Sequence, residues 1–279
     1  MEQLEKLKSY LQQKGSLVVA FSGGVDSAFL LKVAHEVLGE HVVAVTVKPH
    51  AFPVRELHEA EEFCRKEGIR HIVREVDELQ IPGFAKNPPE RCYLCKRVLM
   101  QTICETAKGL GISHVAEASN LDDNGDYRPG MRAIAELGIL SPLRETGIDK
   151  KTIRELSRQL GLAVWDKPSF ACLATRFVYG ETITRDKLAM LDAAEQFLFE
   201  QGFRQVRVRI HGEETKSAIA RIEIAADEFP KMFVQGMAQI VHERLKEIGF
   251  SYVTLDLGGY RMGSMNDKLK AASCTELST

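Results

Sequence analysis

Nowhere in the 279 residues does an apolar run approach the ~20 needed to span a bilayer, so no membrane-spanning helix is expected. An excess of one charge is missing as well. The 37 basic residues stand against 39 acidic ones, a formal net charge of −2, so no global positive field draws the chain onto a polyanion and no nucleic-acid partner is expected. Cysteine is sparse, six in all, and Met1–Leu17 has neither the apolar core of a signal peptide nor an Arg/Ser-rich transit pattern. The expected place is therefore a reducing cytosol, where a disulfide framework gives way to metal or redox chemistry. Only one Cys-x-x-Cys exists, so the paired knuckles of a zinc ribbon are excluded. The Gly-Lys-Ser/Thr of a P-loop and the Gly-x-Gly-x-x-Gly of dinucleotide folds are also absent.

What is present is the make-up of an ordinary globular chain, 44% apolar and 27% charged, long enough to bury a sizeable core. At ~150 residues per domain it divides into about two. Leu4, Leu7, Tyr10 and Leu11 share one face of a first helix, and Leu17–Phe21 is a short apolar run suited to a buried strand. Residues 28–38 read as a helix, Val42–Val47 as a strand, Val54–Glu67 as a helix and His71–Val76 as a strand. Glu90–Lys108 follows as a helix, His114–Ala118 as a strand and Lys150–Leu160 as a helix. This alternation predicts a parallel sheet covered on both faces. Trp165–Gly180 is irregular, and the rhythm changes beyond it. A helix over 185–200, strands at Gln205–His211 and Ala218–Ile224, a helix over Asp227–Ile248 and a strand at Tyr252–Leu257 predict an α+β layer on a small antiparallel sheet. The expected domains are 1–170 and 171–265, with a tail at 266–279.

Ser22-Gly23-Gly24-Val25-Asp26-Ser27 lies between an apolar strand and a helix. Adjacent glycines let the backbone approach a ligand, and the N–H groups opening the helix, with the Ser22 and Ser27 hydroxyls, point at whatever sits above them. Such a turn suits phosphates, and Asp26 among them makes sense if a cation such as Mg²⁺ bridges it to the phosphate oxygens. Ser-Gly-Gly-x-Asp-Ser resembles the PP-loop of ATP pyrophosphatases, which cleave ATP to AMP and pyrophosphate.

Arg91-Cys92-Tyr93-Leu94-Cys95-Lys96 puts two cysteines on one face near a helix start, a spacing used for metals, clusters and redox dithiols. Cys172, in Ala171-Cys172-Leu173-Ala174-Thr175-Arg176, is the spare ligand candidate. Three thiolates could hold a [4Fe–4S] cluster with one iron left open. Cys64, Cys104 and Cys274 read as structural. Asp122–Gly130, which holds Asp126 and Arg128, forms a loop after a parallel strand, where α/β enzymes place ligand contacts. Arg207, Arg209 and His211 share one face of a strand whose other face carries Val206, Val208 and Ile210, giving either a solvated face or one that grips phosphate.

Taken in order, the Ser22–Ser27 turn, Arg-Cys-Tyr-x-x-Cys-Lys, Asp-Tyr-Arg-Pro-Gly, Cys-Leu-Ala-x-Arg-Phe-x-Tyr-Gly, Arg-Val-Arg-x-His and the Tyr252–Gly263 motif resemble the sulfur transferase family called LarE over nearly the whole chain. The resemblance implies an adenine nucleotide alpha hydrolase-like domain using ATP and Mg²⁺. Its substrate would be pyridinium-3,5-biscarboxylic acid mononucleotide, whose carboxylates become thiocarboxylates for a nickel-pincer nucleotide. It also implies a homo-oligomer, with a hexamer as one candidate state. On this basis Cys92, Cys95, Cys172, Lys96 and Arg176 are the catalytic candidates, and Ser22, Gly23, Gly24, Asp26, Ser27, Asp126 and Arg128 the nucleotide candidates. Arg207, Arg209 and Arg261 are the candidates for the substrate phosphate. Some members surrender the sulfur of one cysteine, whereas others bind a cluster through three; Cys92 and Cys95 fit the second kind. A PP-loop tRNA thiolase is the alternative, against which the −2 charge and the lack of a recognisable RNA-binding appendage count.

Overall fold

A computed structural model describes residues 2–123, 130–168, 170–234 and 236–261. The chain divides into two compact units: Met1–Ile81 with Glu90–Phe170, and Pro82–Pro89 with the chain from Ala171 onward.

In the first unit, helix α1 (Glu2–Gln12) leads into β1 (Leu17–Ala20), α2 (Val25–Leu38), β2 (Val42–Lys48), α3 (Val54–Glu67) and β3 (Arg70–Glu75). After α4 (Arg91–Gly109), β4 (Val115–Ala116) and the short helices α5 (Gly130–Glu136) and α6 (Pro142–Glu145), α7 (Lys150–Gln159) closes the unit. The strands pair in the order β3-β2-β1-β4, all parallel. β1 and β2 are almost continuously apolar because both their faces are covered. Leu17, Val19, Val42 and Ala44 meet α1, α2 and α7, while Val18, Val43, Val45 and Val47 meet Met100, Ile103 and Ala107 of α4. The sheet is thus the parallel α/β layer expected, with β4 shorter than its sequence run. Every strand delivers its C-terminal end to one edge, so the turn after β1 and the residues after β2, β3 and β4 gather there.

In the second unit, α8 (Arg185–Glu200) packs on β5 (Val206–His211), which pairs with β6 (Ile219–Ile224), followed by α9 (Phe229–Met232), α10 (Met237–Ile248) and β7 (Tyr252–Leu255). β5 and β6 are antiparallel, but β6 and β7 are parallel, so the small sheet is mixed and the antiparallel expectation is corrected. The chain passes through α10 between β6 and β7, a crossover that returns it in the same direction. The single helix expected over Asp227–Ile248 is also corrected. Pro230 fits only a first helical turn, and Gly236 at φ 74° interrupts the run before Met237. Pro82–Pro89, inside the expected first domain, joins this second unit. Asn87 Nδ2 donates to Val178 O at 2.6 Å, Gly180 N to Asn87 O at 3.0 Å and Ile183 N to Ala85 O at 2.8 Å, while Phe84 is buried. The tail expected at 266–279 lies outside the described residues.

Candidate active site

β1 runs straight into the Ser22–Ser27 turn, and α2 starts at Val25. Gly23 takes φ +73°, and a Cβ there would stand 3.3 Å from the carbonyl oxygen of Glu56 on α3, so the turn needs glycine for both conformation and space. The Ser22 and Ser27 hydroxyls are 3.2 Å apart, and Ser27 Oγ donates to Gly24 O at 3.0 Å. No side chain caps α2 at Gly24, which leaves the opening N–H groups of the helix to a ligand.

Asp26 sits in the first turn of α2, where Lys150 Nζ lies 2.5 Å from its Oδ2. Burial raises the Asp26 carboxyl above its ordinary value, and Lys150 opposes that shift without cancelling it. Asp26 Oδ1 is buried with no hydrogen-bond partner among the described residues, which fits a metal-ligand atom. Asp122 Oδ2 accepts from Lys150 N at 2.8 Å, and Asp123 adds negative charge near Asp26. Asp126 and Arg128 lie outside the described residues. A second ammonium stands behind the turn. Lys167 Nζ reaches Gly23 O at 3.3 Å, Glu56 Oε2 at 2.7 Å and Glu59 Oε2 at 2.5 Å.

Sequence reasoning missed both lysines. Lys150 carried a signal, since a cation in the first helical turn opposes the helix dipole and such exceptions mark sites. Lys167 carried none, because its partners lie 108 to 144 residues away.

Cys92, exposed, and Cys95, half-buried, occupy the first turn and a half of α4, with Lys96 half-buried beside them. Gly130, opening α5, packs against the Lys96 side chain and Cys92 O. Tyr93, between the cysteines, donates to Glu136 Oε2 at 2.8 Å and lies 3.6 Å under the Arg132 guanidinium, which fastens α5 to α4.

Cys172 belongs to the second unit, just ahead of a tight turn at Leu173–Arg176. Arg176, a catalytic candidate, is fully buried. Its Nε and Nη2 donate to the two Glu195 oxygens at 2.8 and 2.9 Å, and its Nη1 reaches Ala171 O at 2.7 Å, Cys172 O at 3.3 Å and Thr175 Oγ1 at 2.7 Å. It therefore shapes the cysteine turn from within. Burial works to raise the Glu195 carboxyl, but Arg176, Arg207 and the Val208 N–H together outweigh it and the net shift is downward.

The basic strand face is not a solvated one, although His211 at its end is half-buried. Arg207 and Arg209 are each 5% exposed. Arg209 donates to Glu223 Oε2 at 2.8 Å and Thr175 O at 2.9 Å, and Arg221 bridges Glu223 and Asp256. Arg207 lies 5.3 Å from the Tyr260 ring, and burial first, then Arg176, lowers its pKa to about 10. Arg261 is exposed near Asp256. Among the described residues, the guanidiniums of Arg176, Arg207, Arg209 and Arg221 thus lie in one cluster with the carboxylates of Glu195, Glu223 and Asp256.

One further set, His50, Asp77 and Glu78, gathers beyond β2 and β3. Both Glu78 oxygens accept backbone N–H groups, of His50 and Ala51, at 2.7 Å, so Glu78 braces the loop after β2. Cys64 is buried and burial pushes its thiol up to about 12; Cys104 is raised for the same reason. Both fit structural roles.

The family model described as queuosine biosynthesis protein QueC matches residues 16–85, the stretch from β1 through the turn to β3. Against an uncharacterized protein of Synechocystis sp. the chain is 41% identical over 266 residues, 94% of this chain and 96% of that one. Against the pyridinium-3,5-bisthiocarboxylic acid mononucleotide synthase of Lactiplantibacillus plantarum it is 36% identical over 267 residues, 95% and 94% of the two chains. The tRNA-specific 2-thiouridylase MnmA of Caulobacter vibrioides is 26% identical over 57% of this chain and 51% of its own. The chain belongs to the LarE family of PP-loop, ATP-dependent sulfurtransferases.

Proposed function

We propose that the protein adenylates a carboxylate of pyridinium-3,5-biscarboxylic acid mononucleotide and converts it to a thiocarboxylate. The observation that carries this is the 36% identity, over 95% of the chain, to a synthase named for the bisthiocarboxylic product. The opening N–H groups of α2 and the Ser22 and Ser27 hydroxyls cradle the β- and γ-phosphates, leaving the α-phosphorus open. A substrate carboxylate oxygen attacks that phosphorus and pyrophosphate leaves. A sulfur nucleophile then adds to the acyl carbon, and the C–O bond to AMP breaks. Asp26 is the residue suited to Mg²⁺, which when bound screens the departing pyrophosphate. Lys96 supplies a positive charge at the cysteine-bearing turn of α4. Arg207, with Arg209 and Arg261 around it, takes the substrate phosphate, where a guanidinium fork holds oxygens in pairs.

For sulfur, Cys92, Cys95 and Cys172 are proposed as the protein thiolates of a [4Fe–4S] cluster. Two thiols one helical turn apart at the positive end of α4 fit cluster ligation, and such a cluster supplies sulfur at its fourth iron. Protein prepared without oxygen should contain iron and sulfide, and replacing any one of the three cysteines by alanine should remove most of both while pyrophosphate release persists. A native preparation lacking iron, with loss of the elements of H₂S from Cys172 after one turnover, would establish a sacrificial cysteine instead. We place the protein in a reducing cytosol as a homo-oligomer, which light scattering of the full chain tests.

A further inference from the structure

Lys167 lies in no assigned site, yet its ammonium joins two elements. The side chain is 16% exposed and reaches the turn at Gly23 O, 3.3 Å away, and α3 at Glu56 and Glu59. Its own backbone is held from a third direction. Arg154 of α7 donates from Nη1 to Trp165 O and from Nη2 to Lys167 O, both at 2.8 Å. Glu56 is 3% exposed, so its charge is poorly screened. By way of the shared ammonium, its Oε2 lies within the sum of 2.7 and 3.3 Å of the turn's backbone. A carboxylate there opposes a triphosphate, and Glu59 adds a second. With Arg55 Nε 3.6 Å from Glu56 Oε1, the two acids are balanced only while Lys167 is present.

We propose that Lys167 is a positioning residue for the adenylation step: it cancels the negative charge beneath the phosphate turn and ties that turn to the chain that runs on into Cys172. The inference rests on the assignment of the Ser22–Ser27 turn to ATP. The tie gives the segment that precedes the cysteine a direct connection to the loop that senses phosphate. A long cationic side chain meets all three acceptors, which a neutral one cannot replace.

The test is calorimetry of Mg·ATP with the full-length protein, combined with hydrogen exchange over residues 163–168. Lys167→Met should weaken ATP about tenfold, the equivalent of losing one charge-assisted bond, and should speed exchange over 163–168 even without nucleotide. Lys167→Arg should restore most of both. The double variant Lys167→Met with Glu56→Gln removes the stranded buried charge, which protects the fold; it should recover part of the affinity but none of the exchange protection. Native affinity in Lys167→Met, or weakened affinity with unchanged exchange, overturns the proposal. Failure of the native protein itself to bind ATP would overturn the phosphate turn, and this inference with it.

Discussion

Arg176 spends its guanidinium inside the protein, two arms on Glu195 and one on the carbonyls that flank Cys172. Removing one partner of such a pair strands a charge with no water to receive it. Arg176→Met should therefore cost about 3–5 kcal/mol in a denaturant titration, and Arg176→Met with Glu195→Gln should recover much of that, since no ion is left behind. Recovery of stability without recovery of sulfur transfer identifies Arg176 as the residue that shapes the cysteine turn. Asp26 presents the opposite balance. Because its native pKa is raised above 3.8, the folded protein holds more protons than the unfolded one between 3.8 and the raised value, so stability falls as pH rises through that window and stays lowered at neutrality. Asp26→Asn should accordingly match or exceed the native Tm at pH 7, with the difference closing below pH 4, while pyrophosphate release falls ~100-fold. A lower Tm for the variant at pH 7 would show that the Lys150 pair outweighs burial.

Among the elements, the turn between β1 and α2 is the most constrained. Gly23 holds a positive φ and abuts the Glu56 carbonyl, so Gly23→Ala must both strain the backbone, by about 1–2 kcal/mol, and push α3 away. The expected result is a more than tenfold loss of ATP affinity with a modest drop in Tm. Thermal melts alongside ATP titration separate this from general unfolding; native affinity in the variant would mean the turn adapts freely. β5 teaches a different lesson. Its alternation of Val and Arg reads as one buried and one wet face, but the segment around Thr175 and Tyr260 covers the charged side, and carboxylates from α8 and β6 meet the arginines. A period of two reports which side chains share a face, and has no information on what later covers it.

At the scale of the molecule, the chain leaves the first unit at Pro82, returns at Glu90 and departs again after Phe170. The second unit is therefore not a contiguous C-terminal piece. A fragment of residues 171–279 lacks Phe84, which is 2% exposed in the whole chain, and loses the bonds of Asn87 and Ala85 to Val178, Gly180 and Ile183. Burial of one large aromatic side chain alone is worth about 3–5 kcal/mol, so this fragment should be markedly less stable in urea than one to which residues 82–89 are supplied as a peptide. Equal midpoints with and without the peptide would refute that dependence.

The sequence by itself determined what depends on neighbours along the chain: near-continuous apolar strands, helices at period 3.6, the Gly-Gly turn and the cysteine pair of α4. From these followed the parallel sheet, the phosphate turn and the family. What only the tertiary structure decided were relations between residues far apart in sequence. Lys150 meets Asp26 across 124 residues and Lys167 meets Glu56 across 111. Likewise β7 runs parallel to β6, and Pro82–Pro89 belongs with Ala171 onward. Local periodicity encodes a side chain's direction, because backbone geometry repeats from residue to residue. The partner of a charge, and the water it loses, are set by long-range packing, which no local pattern contains.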